Sequence, residues 1–198
     1  RRPPRSTQGV SSAASDVYKR QESGLLGSQY FGEYPPIDLS NIVAGYNFDG
    51  VLPTGKTKDV VVVGYGASEL EDILQEELTK FNMYITPDPD PEKGFFYRSD
   101  HISFAKKGVP VLYADGGVDK YDGGIEAGSK IANEYTQYHY HQPSDEYKES
   151  WDLSGFKEHL DITRNMVFRL ATSSEWPEWY EGNEFKAIRE ESRKERSN

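Results

Sequence analysis

Residues 59–81, DVVVVGYGASELEDILQEELTKF, carry the clearest indication of the fold. Asp59 precedes four consecutive valines, an apolar β-branched run that is typical of a strand buried on both faces. Ser68 and Glu71 have the spacing of a capping box, in which two side chains close the backbone at a helix start. The apolar residues that recur at helical spacing are Leu70, Ile73, Leu74, Leu78 and Phe81. This stretch therefore predicts a buried strand followed directly by an amphipathic helix.

Weaker patterns on both sides continue the alternation of strands and helices. The predicted strands are 41–48 and 109–113, and the predicted helices are a short one ending before Tyr34, then 101–107 and 153–170. Residues 86–93 (TPDPDPEK) are predicted to be an acidic loop broken by prolines, and a polar, Gly-rich loop follows residue 113. Strands that alternate with helices predict an α/β fold, a three-layer sandwich with a largely parallel central sheet.

The composition restricts the classes of function. The chain has 198 residues and a net charge of −10, which argues against nucleic-acid binding because phosphates attract clustered Lys and Arg. It contains no Cys, so disulfides, thiolate metal ligands and Cys nucleophiles are excluded. No apolar run approaches the roughly 20 residues that cross a bilayer, and no signal peptide is visible. An α/β domain is expected over residues 21–175.

The two ends differ from this middle part. Residues 1–20 carry five Arg and Lys but one Asp, are rich in Ser and Pro, and show no apolar periodicity. We expect them to be disordered. Because 11–21 is similar to translated adapter or vector sequence, we also expect a non-native leader. Residues 176–198 are expected to form a charged C-terminal tail, of which 184–198 is helix-prone and has little to bury.

Two common kinds of active site do not fit the glycine-rich stretch after the valines. A Ser hydrolase would show G-x-S-x-G, but residues 66–70 (GASEL) lack the second Gly. A dinucleotide site would continue Gly64-x-Gly66 with a third Gly, where this chain has Glu69. A carboxylate at that position would repel pyrophosphate.

A divalent metal fits better, because it binds carboxylate and imidazole groups at strand ends and loops. Glu22 precedes a predicted helix, Asp49 follows a predicted strand, and His141 lies in the polar loop before Pro143. In a parallel sheet such positions converge on one crevice. Each residue also has an ordinary explanation, as a helix-terminal charge, a turn former or a surface loop residue.

Four segments in order resemble the M28 family of zinc aminopeptidases. Residues 21–28 (QESGLLGS) are similar to its Glu-Glu-x-Gly-Leu-x-Gly-Ser segment, and 47–49 (NFD) to its Asn-x-Asp segment. Residues 99–110 are similar to its Ser-Asp-His…Phe…Gly-x-Pro segment, and 140–145 (YHQPSD) to its Tyr-His-x-Pro-x-Asp segment. The resemblance covers roughly residues 21–175 and implies a zinc peptidase fold.

The resemblance also implies roles for single residues. Glu22 and His141 would bind one zinc ion and Asp49 the other. The family's general base is a Glu that takes a proton from the attacking water, but this position is Gln21, and an amide lacks the basicity. Asp100 and Asp145 are expected to orient the metal ligands.

Other side chains in these segments receive structural predictions. His139 would face away from His141 in an extended chain and is not expected to bind the same metal. His101 is expected to be structural, and His159 to lie on the long helix 153–170 beside its apolar stripe. Tyr97 could donate to a developing oxyanion or be one more core aromatic.

The sequence departs from the family pattern upstream of Gln21. The family's His-x-Asp motif and its metal-bridging Asp precede the Glu pair, but residues 1–20 contain no His and only Asp16 as an acid. Three of five ligands would remain. We therefore expect an N-terminally truncated domain that is inactive as given, because a catalytic zinc normally keeps three protein ligands.

The full-length parent is expected to be an exported aminopeptidase acting on peptides with two zinc ions. A glutaminyl-cyclase-like acyltransferase with one zinc is an alternative that ligand spacing cannot separate. A non-catalytic binding domain of the same fold is another. Gln21 favours this last alternative slightly, whereas Glu22, Asp49 and His141 argue against it.

Overall fold

The computed structural model describes residues 24–196. Its helices are α1 (Leu26–Glu33), α2 (Leu70–Thr79), α3 (His101–Ala105), α4 (Gly124–Tyr138), α5 (Ser154–Thr172) and α6 (Lys186–Arg196). Its strands are β1 (Gly45–Asn47), β2 (Asp59–Val63), β3 (Tyr84–Pro87) and β4 (Val111–Gly116). Among these described residues, no helix has both the length and the apolar character needed to cross a bilayer.

The strands form one sheet in the order β1-β4-β2-β3. β1 pairs with β4 and β2 pairs with β3 in parallel, whereas β2 and β4 are antiparallel. The predicted α/β fold with a largely parallel sheet is thus confirmed. Because β1 and β4 are parallel and Asn47 pairs with Tyr113, the carboxyl ends of these two strands lie side by side. Asp49 follows β1 at this end of the sheet, and Asp115 lies near the same end of β4. This edge carries the site described below.

Helices cover both faces of the sheet because its central strands are apolar on both sides. On one face, Val60 and Val62 belong to a buried cluster with residues of α2 and α5, including Leu74 and Ile162. Side chains alternate between the faces of a strand. On the other face, Val111 joins a second buried cluster built from α3 and the C-terminal residues. These layers make the predicted three-layer sandwich.

The helix α2 buries the predicted apolar face but begins differently from the prediction. The N-cap residue is Glu69, with no side-chain cap, and the Oγ of Ser68 is buried without a hydrogen-bond partner. The predicted Ser68 cap is therefore wrong. Glu71 instead accepts hydrogen bonds from the backbone N–H groups of Gly66, at 2.8 Å, and Ala67, at 2.7 Å. Its carboxylate closes the turn between β2 and α2.

Two further predictions about secondary structure are corrected. The predicted loop 86–93 begins with the last residues of β3, which pairs with β2 as far as Pro87. Pro87 is compatible with an edge strand because no ladder partner lies on its other side. The Gly-rich loop after residue 113 contains α4, whose only fully buried residue is Gly128. A helix that is so exposed leaves little apolar periodicity in the sequence.

The predicted strand 41–48 is also shorter than expected, because Leu39–Asn41 form a 3-10 turn and only Gly45–Asn47 pair in the sheet. At the other end of the chain, the prediction of a tail with little to bury is wrong. Trp179 and Arg189 are each 1% exposed and Phe185 is 5% exposed. The C-terminal residues are part of the core.

Candidate active site

A cleft of about 600 Å³ opens beside the sheet edge that carries Asp49 and Asp115. The predicted site residues that line it are Asp49, Asp100, His141 and Asp145. Gln21 and Glu22 lie outside the described residues. Leu25, close to the start of the described chain, lines the cleft as well. The structure therefore brings the described predicted residues to one place.

Asp49 is held by a chain of hydrogen bonds from two other segments. The Nδ2 of Asn47, at the end of β1, donates to the Oγ of Ser99 at 2.9 Å. The Oγ of Ser99 donates in turn to the Oδ2 of Asp49 at 2.7 Å. Asn47 and Ser99 are buried, whereas Asp49 is exposed to the cleft. The carboxylate is thus fixed in orientation while it stays accessible.

Asp115 is a second carboxylate beside Asp49. Its Oδ1 accepts the backbone N–H of Gly50 at 2.8 Å. Burial raises the pKa of Asp115 to about 6, a shift that the Gly50 hydrogen bond opposes and the negative charge of Asp49 increases. A cation bound between the two would favour their ionised forms and reverse this shift.

Asp100 lies on the inner wall of the cleft and is only 3% exposed. Burial raises the pKa of its carboxyl group, and the nearby Asp49 adds to this effect, while a hydrogen bond with Ser28 opposes it. Its Oδ1 has no hydrogen-bond partner among the described residues. A buried acceptor of this kind needs a donor or a cation, because its desolvation is otherwise uncompensated.

The loop after α4 brings His141 and Asp145 to the opposite wall. His141 has a φ of 57°, an unusual conformation for a residue other than Gly, and its ring stacks on Tyr140 at 3.9 Å. Asp145 accepts a hydrogen bond from the Oη of Tyr135 at 2.8 Å. His139 instead contacts the Oγ of Ser144 at 3.1 Å and does not line the cleft. The strained backbone of His141 is typical of functional loops.

The two remaining histidines are buried. His101 is 2% exposed and packs between Phe96 and Tyr113, at 4.7 and 4.9 Å between ring centroids. Burial lowers its pKa to about 3, so the ring is neutral. This packing agrees with the predicted structural role.

His159 lies on the long helix, as predicted, but it is 4% exposed and belongs to the buried face of α5, so the predicted position at the flank of the apolar stripe is wrong. Its Nε2 forms a 2.8 Å hydrogen bond with the Oη of Tyr46. The residue lies at the inner end of the cleft. Burial lowers its pKa to about 4.

Tyr97 matches neither of the roles considered for it. Its ring is 58% exposed, so it is not a core aromatic. Its Oη donates to the Oε1 of Glu184 at 2.9 Å, away from the cleft lining.

The sequence analysis did not assign a role to Asp115 or to the hydroxyl of Ser99. Asp115 stands directly before Gly116-Gly117, and a carboxylate followed by two glycines after a predicted strand is a usable signal. The Ser99 contact joins residues 50 positions apart and could not be found from local sequence.

The donor types around the cleft, carboxylate and imidazole, suit zinc. Asp49 and His141 would supply one donor of each type. The Oδ1 of Asp100 has no hydrogen-bond partner in the described part of the chain, so it could accept a further donor or contact a cation. Within residues 24–196, however, no three His, Cys, Asp or Glu side chains come together as a metal-binding group. The described residues fit zinc in chemistry and fall short of a complete site in number.

Comparison with known proteins gives the family of the chain. A search of the curated proteins gave no match. The model of peptidase family M28 matches residues 17–167, which include the cleft residues Asp49, Asp100, His141 and Asp145. With most of its length matched, the chain belongs to peptidase family M28.

Proposed function

We propose that this peptidase domain is of the zinc-dependent aminopeptidase type and that Glu22, Asp49 and His141 are its remaining metal ligands. The observation that carries the proposal is the hydrogen-bonded Asn47–Ser99–Asp49 chain, which orients an accessible carboxylate toward the cleft that His141 also lines. Ligands held in this way by a second layer of hydrogen bonds are typical of metal sites.

Bound zinc would act as a Lewis acid on the carbonyl of the peptide bond. The protein's own contribution is to hold the peptide and to exclude bulk water. Val51, Leu52 and Ile131 give the cleft apolar lining, while Asp49 and Asp115 concentrate negative charge at its floor. The residue expected to move the proton is at position 21, where Gln has no basic group.

We further propose that the 198-residue chain does not hydrolyse peptides by itself. The described residues offer Asp49 and His141 but no group of three ligands. Residues 1–20 add one carboxylate, Asp16, and no imidazole. Two or three donors spread over two metal positions give weak zinc binding, because a catalytic zinc normally has three protein ligands.

Zinc binding to the purified chain tests the ligand assignment. Isothermal titration should show weak binding that falls at least tenfold in Asp49→Asn and in His141→Ala. His139→Ala is the matched control, because its imidazole lies in the same loop but outside the cleft. Equal losses from His139→Ala and His141→Ala would remove His141 from the site.

Two outcomes would favour other functions on the same fold. If a form with a complete metal site releases ammonia and a cyclised product from a peptide beginning with Gln, the acyltransferase alternative is correct. If that form binds zinc and peptides without converting either kind of substrate, the protein is a binding domain. The Gln at position 21 is the observation that keeps this second alternative in view.

A further inference from the structure

We propose that the C-terminal segment (residues 176–196) positions one wall of the active-site cleft, the wall segment (residues 95–100), and thereby orients Asp49. The proposal assigns a positioning role to residues beyond the family match, which ends at residue 167. It rests on the proposed function in one respect, that Asp49 is a functional group of the cleft.

The C-terminal segment is anchored to the body of the domain by backbone and buried side-chain contacts. Tyr180 N–H donates to the carbonyl of Ala67 at 2.9 Å, and Glu69 N–H donates to the carbonyl of Glu178 at 3.0 Å. The buried indole of Trp179 donates through Nε1 to the carbonyl of Gly108 at 3.0 Å. These bonds make the segment a fixed support for whatever it contacts next.

The C-terminal segment contacts the wall segment at two neighbouring residues, Phe96 and Tyr97. The Oη of Tyr97 donates to the Oε1 of Glu184 at 2.9 Å. The ring of Phe96 stacks on Phe185, with 6.4 Å between centroids and 23° between planes. Arg98 and Ser99, which directly follow Tyr97 in the chain, line the cleft.

The wall segment begins in a short turn, while its later residues Ser99 and Asp100 are buried. It starts as a 3-10 turn of three residues, Phe95–Tyr97, which follows Gly94 in a left-handed conformation with φ of 66°. Arg98 N–H donates to the carbonyl of Phe95 at 3.0 Å and closes this short turn. Turns of this kind have weak hydrogen-bond geometry and depend on their surroundings.

The wall segment in turn sets the position of Asp49. Phe95, Arg98, Ser99 and Asp100 line the cleft. Ser99 carries the only hydroxyl of the Asn47–Ser99–Asp49 chain, so a shift of the wall moves the donor that Asp49 accepts from.

The same C-terminal segment also touches the approach to β1. The buried guanidinium of Arg189 donates through Nη2 to the carbonyls of Ile42 and Val43, at 3.0 and 3.3 Å. These residues precede β1, whose last residue is Asn47. The C-terminal segment therefore supports the stretches that carry both donors of this hydrogen-bond chain, Asn47 and Ser99.

Amide hydrogen exchange at single residues tests this without turnover or metal. The Arg98 amide reports the wall turn, and the Gly50 amide, which donates to Asp115, reports the cleft floor. Tyr97→Phe and Glu184→Ala should speed the exchange of both amides roughly three- to tenfold. Glu184→Gln keeps an acceptor for the Tyr97 hydroxyl, so the exchange rates of both amides should stay close to those of the unaltered chain.

Tyr180→Phe is the matched control, since it removes an exposed tyrosine hydrogen bond, 2.8 Å to Asp72, elsewhere on the C-terminal segment. It should leave the Arg98 and Gly50 amides unchanged. The proposal is overturned if Tyr97→Phe and Glu184→Ala leave both amides unchanged, or if Tyr180→Phe affects them equally.

A second measurement keeps the two proposals apart. Phe185→Leu should weaken zinc binding several-fold at a temperature well below its unfolding transition, while Leu74→Ala, in the other core cluster, should lower stability without this effect. Zinc binding that falls equally in both variants would overturn the positioning role. If no variant of the chain binds zinc but the amides respond as expected, the positioning role stands and the zinc assignment fails.

Discussion

At the scale of single residues, the hydroxyl of Ser99 is the group on which the orientation of Asp49 depends. It accepts from Asn47 and donates to Asp49 at once, which alanine cannot do. We predict that Ser99→Ala weakens zinc binding by roughly tenfold, the usual effect of losing such an orienting contact. Ser99→Thr keeps a hydroxyl and should recover most of the affinity, as isothermal titration can show.

Ser103→Ala is the control for Ser99→Ala. It also removes a buried hydroxyl, but one that bonds to the Oγ of Ser28 at 3.0 Å and does not line the cleft. Equal weakening in the two alanine variants would mean that packing, and not the orientation of Asp49, is responsible.

His159 links stability to pH in a direction that follows from its burial. Its pKa is about 4 in the folded chain and about 6.5 when unfolded, so the fold needs the neutral ring. The stabilisation that comes from burying the neutral ring is fully present above pH 6.5. It is lost as the pH falls toward 4, and the loss of unfolding free energy reaches about 3 kcal/mol. We predict that His159→Gln makes the fall in unfolding free energy over this range less steep, measured by denaturant titration at several pH values, while the contribution of the buried His101, whose pKa is lowered to about 3, remains.

His139→Gln serves as the control for this pH dependence, because its ring lies in the outer loop and bonds to Ser144. It should leave the slope unchanged. A slope that is the same in His159→Gln as in the unaltered chain would show that the buried ring does not govern this range.

At the scale of elements, the sequence predicted those whose own residues pack in the core. The β2 strand and the apolar face of α2 were found because their buried side chains follow one another at a fixed period. The helix α4 has no such stripe, since only Gly128 is fully buried along its length. It was missed because a helix that is this exposed leaves no apolar stripe in the sequence.

The candidate site shows the same division. Asp49, Asp100, His141 and Asp145 could be predicted from motifs, because each lies in a short segment with a recognisable spacing. The role of Ser99 depends on a contact between two loops, and that of Asp115 on a strand longer than its apolar part. The Ser99 contact follows from tertiary structure and is not specified by the sequence alone, whereas the two glycines after Asp115 are a local signal of its position.

The C-terminal element was misjudged because its charged residues hide a few large buried ones. Trp179 is 1% exposed, packs on Phe185 and donates to Gly108. We predict that Trp179→Ala costs about 3–5 kcal/mol and lowers the melting temperature by roughly 10 °C. Calorimetry would measure this, with Trp151→Ala as the milder control, since that indole is partly exposed and meets the ring of Tyr147 edge to face.

At the scale of the whole molecule, the segment that we expect to be a leader (residues 1–20) should be dispensable for stability, although the family match begins at residue 17. It lies outside the described residues, and the prediction rests on its sequence, which has no apolar periodicity and a positive charge in an acidic chain. Deleting residues 1–20 should leave the melting temperature within about a degree. A fall of several degrees, roughly the effect of 1 kcal/mol in a domain of this size, would show that the leader packs on the domain.

Catalysis is the property that needs the whole molecule at once, because a base is useful only where a bound metal has activated water. We predict that the chain does not hydrolyse aminoacyl-p-nitroanilides above background with added zinc, and that Gln21→Glu alone does not change this. Within residues 24–196 no three ligands come together, and residues 1–20 supply one carboxylate and no His. A Glu at position 21 would therefore have too little bound metal beside it to activate water.

A chimera with a complete set of metal ligands tests the role of the base separately from the role of the ligands. The upstream half of an intact M28 relative, joined before Glu22 with Glu restored at position 21, should bind two zinc ions and turn over substrate. The same chimera with Gln kept at position 21 is the matched control, and it should bind zinc equally but lose at least a hundredfold in rate, the usual contribution of a general base. Zinc-dependent turnover by the unmodified chain would contradict the argument from ligand number, and a fully zinc-loaded chimera without turnover would favour the binding-domain alternative.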